Sequence, residues 1–387
     1  MMPTGRRARY TAVRRIPVWA TTPRDGRAAA GPRGGPRPRA AIILPVRTLT
    51  PRELNRALLA RQLLLERSAL PLPRALEAIG GIQAQYAPSM YVGLWSRLAG
   101  FERDALTAAL HDRSVVQATL MRVTIHLVSR ADFWPIALAV RDARRASWLR
   151  GQRNGPSARA MAAAAAKLRR ALAGGEVLSR RDLEVLLGKE RARGVGLWLD
   201  LVRVPPSGTW ERRRADLFAT AEEWIGEPPA VDATAEHLVR RYLAGFGPAS
   251  RKDVASFTGI APAALRPVLD RLELVRFATA EGEELLDLPD QPLPDPDTPA
   301  PPRFLPTWDT TLLVHARRTG ILPEEHRPKI FHARIPQSKA TFTVDGAVAG
   351  TWRFDGGEIV LEPFTPLRAA DEEAVRAEAA RLAELHR

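Results

Sequence analysis

The sequence predicts an α+β protein in which a unit of helices, helix-turn-helix and hairpin recurs three times before a small C-terminal β-barrel or sheet domain. Three observations carry that reading. Capping residues open helices at comparable places in successive units, at Thr50, Ser179 and Ser250. Alternating or β-branched runs, with turn residues beside them, follow the helices. A proline-rich stretch at 289–302 then separates this part from one whose periodicity is that of strands.

Residues 1–47 carry eleven arginines against one aspartate and almost nothing to bury, so they read as a disordered basic tail. A nucleic-acid-binding arm and a true start further downstream are both open readings of it. The first unit covers 48–150. Thr50, Pro51 and Glu53 form a capping box, and the helix they open is expected to run to about residue 66. A second short helix ends at Gly80-Gly81, two more are expected at 90–98 and 103–112, and the run 115–128 is rich enough in β-branched residues for one or two strands. A helix at 131–149 closes the unit. Several helices and then a β-element is the order of a winged-helix module.

The second unit, 151–230, has an alanine-rich helix at 157–173, a helix capped by Ser179, a further helix expected at 195–202 and a turn at Pro205-Pro206-Ser207-Gly208 with a basic arm behind it. The third, 231–288, has helices at 233–243, 253–257 and 262–272 and a hairpin of 274–277 with 284–288. Beyond the linker at 289–302, residues 303–387 show alternating runs turned by Asp345-Gly346 and Asp355-Gly356, a hairpin signal, and then a helix at 370–385.

At 387 residues the chain is long enough for several compact units, and no run of eighteen apolar residues indicates a membrane helix. No cysteine is present, which removes disulfides, thiolate metal sites and cysteine nucleophiles. A cytoplasmic protein is the expectation. Net charge is +15 and the pI near 11.1, which suggests a polyanionic partner, although the tail holds most of the excess. Lysine occurs only at 167, 189, 252, 329 and 339; a GC-rich genome and phosphate contact through guanidinium groups account for that equally well. No P-loop, Gly-x-Gly-x-x-Gly after a strand, Gly-x-Ser-x-Gly elbow or metal-spaced histidine pair occurs, so elbow hydrolases, kinases and dinucleotide enzymes lose support, and neither metal nor cofactor is expected.

The stretch that invites chemistry is Gly80-Gly81-Ile82-Gln83-Ala84-Gln85-Tyr86. On an extended backbone Gln83 and Gln85 leave the same face, and two amides that both donate and accept can fix one water. A polar loop whose glutamines satisfy local backbone groups is the competing reading. Arg180, Arg181, Arg203, Arg212, Arg213 and Arg214 gather near the second unit's turn, whereas the third hairpin's tip carries Glu281, Glu283 and Glu284, which phosphates repel. The copies are therefore not expected to dock on DNA equivalently.

With Gln83-Ala84-Gln85, the run Met121-Arg122-Val123-Thr124-Ile125-His126 and the module order, everything after residue 47 resembles the bacterial AlkZ-type winged-helix DNA glycosylases, a family that includes a YcaQ-type branch. The resemblance implies tandem winged helices and a β-barrel forming a concave DNA surface, and excision of N7-alkylated purines, in some members from both sides of an interstrand crosslink. Its signature is Gln-x-Gln in one branch and Gln-x-Asp in the other, so it implies Gln83 and Gln85 as catalytic. Members often have glycine where Val123 stands.

The chemistry suits the match. Alkylation at N7 makes guanine cationic and a good leaving group without a general acid, so a positioned water suffices. Arg122, Thr124 and His126 alternate and would share a strand face, either supporting the site, with Arg122 on a phosphate, or forming a structural cluster. Asp309 is a motif position or a helix cap. Arg317 and Arg318 are DNA-backbone contacts or solvated surface. The expectation is a monomeric, nucleoid-associated glycosylase acting on double-stranded DNA with alkylated bases, without an obligatory protein partner. A DNA-binding regulator, or a resistance protein that sequesters lesions on the same scaffold, is the alternative.

Overall fold

Thr50 opens the first helix, Pro51–Arg61, with its side chain accepting from the Glu53 amide while Glu53 reaches back to the Thr50 amide. The computed structural model describes residues 46–152, 155–230, 232–313, 320–331 and 338–387, so the tail up to residue 45 and both Arg317 and Arg318 lie outside the described residues. The helix stops at Arg61, short of the expected 66, where Leu63 takes a positive φ of 57°. Helix Leu72–Ile79 ends on Gly80 at φ 75°, and the next glycine has φ 80° with the Leu127 carbonyl 3.1 Å from where a Cβ would stand. The glycine pair thus both stops the helix and lets the chain lie against its neighbouring strand.

That chain is β1 (Ile82–Gln83), which pairs with β3 (Ile125–Ser129), itself paired with β2 (Val115–Thr119). The second unit supplies β4 (Leu178–Ser179), β5 (Leu201–Arg203) and β6 (Leu217–Thr220). All six form one sheet in the order β1-β3-β2-β5-β6-β4. The join is made by β2 and β5, with Gln117 opposite Arg203 and Ala118 opposite Val202. This overturns the helix expected at 195–202: after a turn at Val195–Leu197 the chain extends, because Leu201 and Val202 are buried between two neighbouring strands. A short apolar run does not reveal which of those states its neighbours will select.

In the third unit, Ser250 caps helix Arg251–Thr258 through a capping box with Asp253, as Ser179 does with Asp182 in the second unit, and β7 (Val275–Ala278) pairs with β8 (Glu284–Asp287) as a separate hairpin. The C-terminal part contains β9 (Arg303–Leu305), β10 (Thr341–Val344), β11 (Ala347–Asp355) and β12 (Glu358–Pro363) in the order β12-β11-β10-β9. Among the described residues this sheet is open, so of the two expected forms, barrel or sheet, the structure has the sheet, four-stranded and antiparallel. Its outer strands do not meet; helix Ala369–His386 packs across β9, β10 and β12 instead, burying Val375, Leu382 and Leu385 with Phe304, Phe342 and Trp352.

Buried ion pairs tie distant segments. Both Arg61 guanidinium nitrogens reach the Asp287 carboxylate at 2.8 Å, and both Arg97 nitrogens reach Asp309 at 3.0 Å. Removing one partner from such a pair strands the other charge without solvent, at a cost of about 3–5 kcal/mol.

Candidate active site

Gln83 is the last residue of β1 and stands opposite His126, so the two share a face of the sheet. Of the two readings of the run 115–128, one strand or two, the structure has two, β2 and β3, joined by a turn. Met121–Val123 forms a tight turn in which Arg122 and Val123 both have positive φ, 53° and 60°. The turn brings Arg122 in from outside the strand. Its Nη2 donates to Gln83 Oε1 at 3.2 Å, its Nη1 donates to the Phe257 carbonyl at 2.8 Å, and its guanidinium carbon lies 5.4 Å from the Phe257 ring centre. Arg122 is therefore turned inward and anchored by protein groups.

His126 is buried, and burial together with the Arg122 charge pushes its pKa down to about 3. It is a neutral imidazole at ordinary pH. Its Nδ1 lies 3.1 Å from the Thr124 carbonyl, which can only accept, so the proton sits on Nδ1. Nε2 is left as an acceptor facing Arg122 Nη2 at 3.5 Å. Thr124 donates its hydroxyl to the Met121 carbonyl at 3.1 Å, bracing the turn. Gln83, Arg122, Thr124 and His126 thus come together, with His126 and Thr124 acting on Arg122 and its turn.

Gln85 is held differently. The strand has ended, the chain bends, and the side chain is exposed. Its Oε1 accepts the Ile125 amide at 2.8 Å, which leaves the amide NH2 as its free end. It borders a cavity on the second unit's side, with Arg180, Arg193 and Arg203 in the wall. The next residue, Tyr86, is also exposed and receives Arg213 Nη1 on its hydroxyl at 3.0 Å. Arg212 pairs with Asp216 at 3.3 Å and Arg214 meets the same carboxylate at 3.6 Å, so these two are partly neutralised. Arg181 is exposed on the helix that Ser179 caps.

Asp309 lies elsewhere. It accepts from the Thr311 amide and hydroxyl at the start of helix Thr310–Leu313 and pairs with the buried Arg97. It is a cap and a structural ion-pair partner at once. Arg97, whose Nη2 also reaches Gln62 Oε1 at 3.4 Å, was not singled out by sequence reasoning; nothing local marks a pair 212 residues apart. Arg193 was also missed, and Arg203 was seen only as one of several arginines near a turn.

The fold aligns with that of the Streptomyces sahachiroi DNA glycosylase AlkZ at a TM-score of 0.73, covering 87% of this chain and 97% of that one at 20% identity. No curated protein matches the chain in sequence. The family profile described as DNA glycosylase AlkZ-like matches residues 76–385, most of the chain, and the protein belongs to the AlkZ-like DNA glycosylase family.

Proposed function

We propose that the protein is a monofunctional glycosylase that hydrolyses the N-glycosidic bond of N7-alkylguanine in double-stranded DNA, with Gln83 and Gln85 positioning the attacking water. The supporting observation is that both amides are fixed through their oxygens, Gln83 by Arg122 and Gln85 by the Ile125 amide. Each oxygen keeps a second lone pair and each nitrogen two donors, enough to orient a water without ionising it. Amides are weak bases. They suit a leaving group that is already cationic and leave neutral bases untouched. With His126 neutral and facing Arg122, no acid is supplied from that side, and a cationic purine needs none.

A site at a sheet edge also suits crosslinked strands, because a base tied to the opposite strand cannot be flipped into a closed pocket. The three helix-and-hairpin units are read as winged helices that track the duplex, acting as a monomer. The test is depurination of an oligonucleotide carrying N7-methylguanine, and of one carrying an N7–N7 crosslink. Wild-type protein that binds both tightly and releases no base would overturn the reading. One observation favours a second reading, a regulator or sequestering protein on the same scaffold: both amide oxygens already serve protein donors. A sequence-specific footprint without excision would establish it.

A further inference from the structure

The cavity beside Gln85 has a feature that the excision reading does not use. Arg203 reaches into it from β5 and Arg180 from the first residue of helix Arg180–Leu187, their guanidinium carbons 5.5 and 5.9 Å from the centre of the same Phe218 ring. Arg203 Nη2 donates to the Thr119 hydroxyl at 3.1 Å and Arg180 Nη1 to the Ala192 carbonyl at 2.7 Å. Neither meets a carboxylate among the described residues, and the Nε of Arg203 is buried without a partner. Three other sequestered arginines do have a carboxylate: Arg61 has Asp287, Arg97 has Asp309 and Arg144 has Asp200. Arg122 has none either, but it is held against Gln83 and the Phe257 carbonyl rather than in this cavity. Burial, reinforced by the Arg180 charge, pushes the pKa of Arg203 down to about 10.

Two like charges held over one ring, with donors unspent and no counter-ion, make a site that lacks its anion. The cavity, of about 220 Å³, has room for one, and Gln85 with its free NH2 stands at its exposed side. We infer that Arg180 and Arg203 seat a backbone phosphodiester of the DNA strand that carries the damaged base, and so register that strand against Gln85. The position of the lesion in this inference rests on the reading of Gln85 given above; the phosphate contact does not.

The test is therefore a binding measurement on undamaged duplex, with fluorescence anisotropy followed across potassium chloride concentration. For every phosphate that a variant no longer neutralises, the slope of log affinity against log salt falls in magnitude by about 0.9. The double variant Arg180→Gln/Arg203→Gln should show that drop. Arg203→Gln and Arg180→Gln should each show part of it because they share one phosphate, and Arg203→Lys, which keeps the charge, should retain the wild-type slope. Arg180 is only half-buried, so its variant keeps the test open if Arg203→Gln fails to fold. An unchanged slope in a folded Arg180→Gln protein overturns the inference. An unchanged slope accompanied by inorganic phosphate raising the Tm of wild type but not of the variant also overturns it, because the site would then take a free anion. Wild-type protein without excision would sink the proposed function and leave the slope result standing.

Discussion

The two glutamines sit two residues apart and occupy opposite kinds of environment. Gln83 is closed in by the third unit: Arg122 pins its oxygen, Phe257 holds Arg122, and a neutral histidine lies beside them. Gln85 is exposed on the second unit's side, anchored by one backbone amide and bordering a basic cavity. A pair that looks symmetric as Gln-x-Gln is therefore asymmetric in the fold, and under the proposed function Gln83 would be the prearranged member and Gln85 the substrate-facing one. The chain makes this division by ending β1 at Gln83 and bending at Gln85.

The largest expected effect tests that division. Gln83→Ala and Gln85→Ala should each lower excision of N7-methylguanine by about 100-fold or more, the scale on which a misplaced reacting group costs rate. They should differ in kind. Gln83→Ala should lower kcat with KM unchanged, whereas Gln85→Ala should also raise KM, because it borders the basic cavity in which the strand would lie. Steady-state kinetics that show the same KM for both would erase the asymmetry.

Next in size is a change that should spare chemistry. Asp309→Ala removes the partner of the buried Arg97 and should destabilise the fold by about 3–5 kcal/mol. Denaturant unfolding gives the loss, and single-turnover excision by the folded fraction should keep its wild-type rate. A rate loss without a stability loss would move Asp309 into the reacting site.

The contrast between legible and illegible parts follows the same line of locality. The Thr50–Glu53 capping box and the Ser250 cap could be read because a helix start is written within four residues. Gln83 and Gln85 were legible as a motif, but the assumption that one extended strand carries both was not met, since the strand stops after the first. Arg122, Thr124 and His126 do come together, but not on one strand face as alternation implied: His126 is on β3, Thr124 closes the turn, and the turn with two positive φ values brings in Arg122. Leu201 and Val202 read as the end of a helix because their strand state depends on β2, more than 80 residues away. Closure of the C-terminal sheet depends likewise on whether edges far apart in sequence meet.

A smaller effect concerns pH. His126 has an ordinary pKa near 6.5 when unfolded and about 3 in place, so below 6.5 the unfolded chain binds a proton that the folded chain refuses. Its contribution to stability is complete above that pH and falls as pH drops toward 3, by about 1.4 kcal/mol per unit where only the unfolded form is protonated. His126→Gln should flatten the stability profile between pH 6 and 4, roughly, in unfolding titrations, where the unfolded histidine titrates. Acid sensitivity identical to wild type would show that other groups set it.

The smallest effect lies at the turn that joins the two environments. Val123 has φ 60°, a left-handed conformation that crowds a β-branched side chain, directly after Arg122 at 53°. Glycine takes that conformation without the clash but leaves the unfolded chain freer, so the two terms oppose each other. Relief of about 1–3 kcal/mol exceeds an entropy cost of about 0.5–1 kcal/mol, and Val123→Gly should stabilise the protein by roughly 1 kcal/mol. A higher urea midpoint with an unchanged m-value would register it. Arg122 has its own anchors at Phe257 and Gln83, so the Gln83 side should keep its geometry and kcat should hold. The Val123 side chain lines the basic cavity, so any change in excision should appear in KM. A fall in kcat would mean that strain at Val123, and not the anchoring of Arg122, holds Gln83 in place.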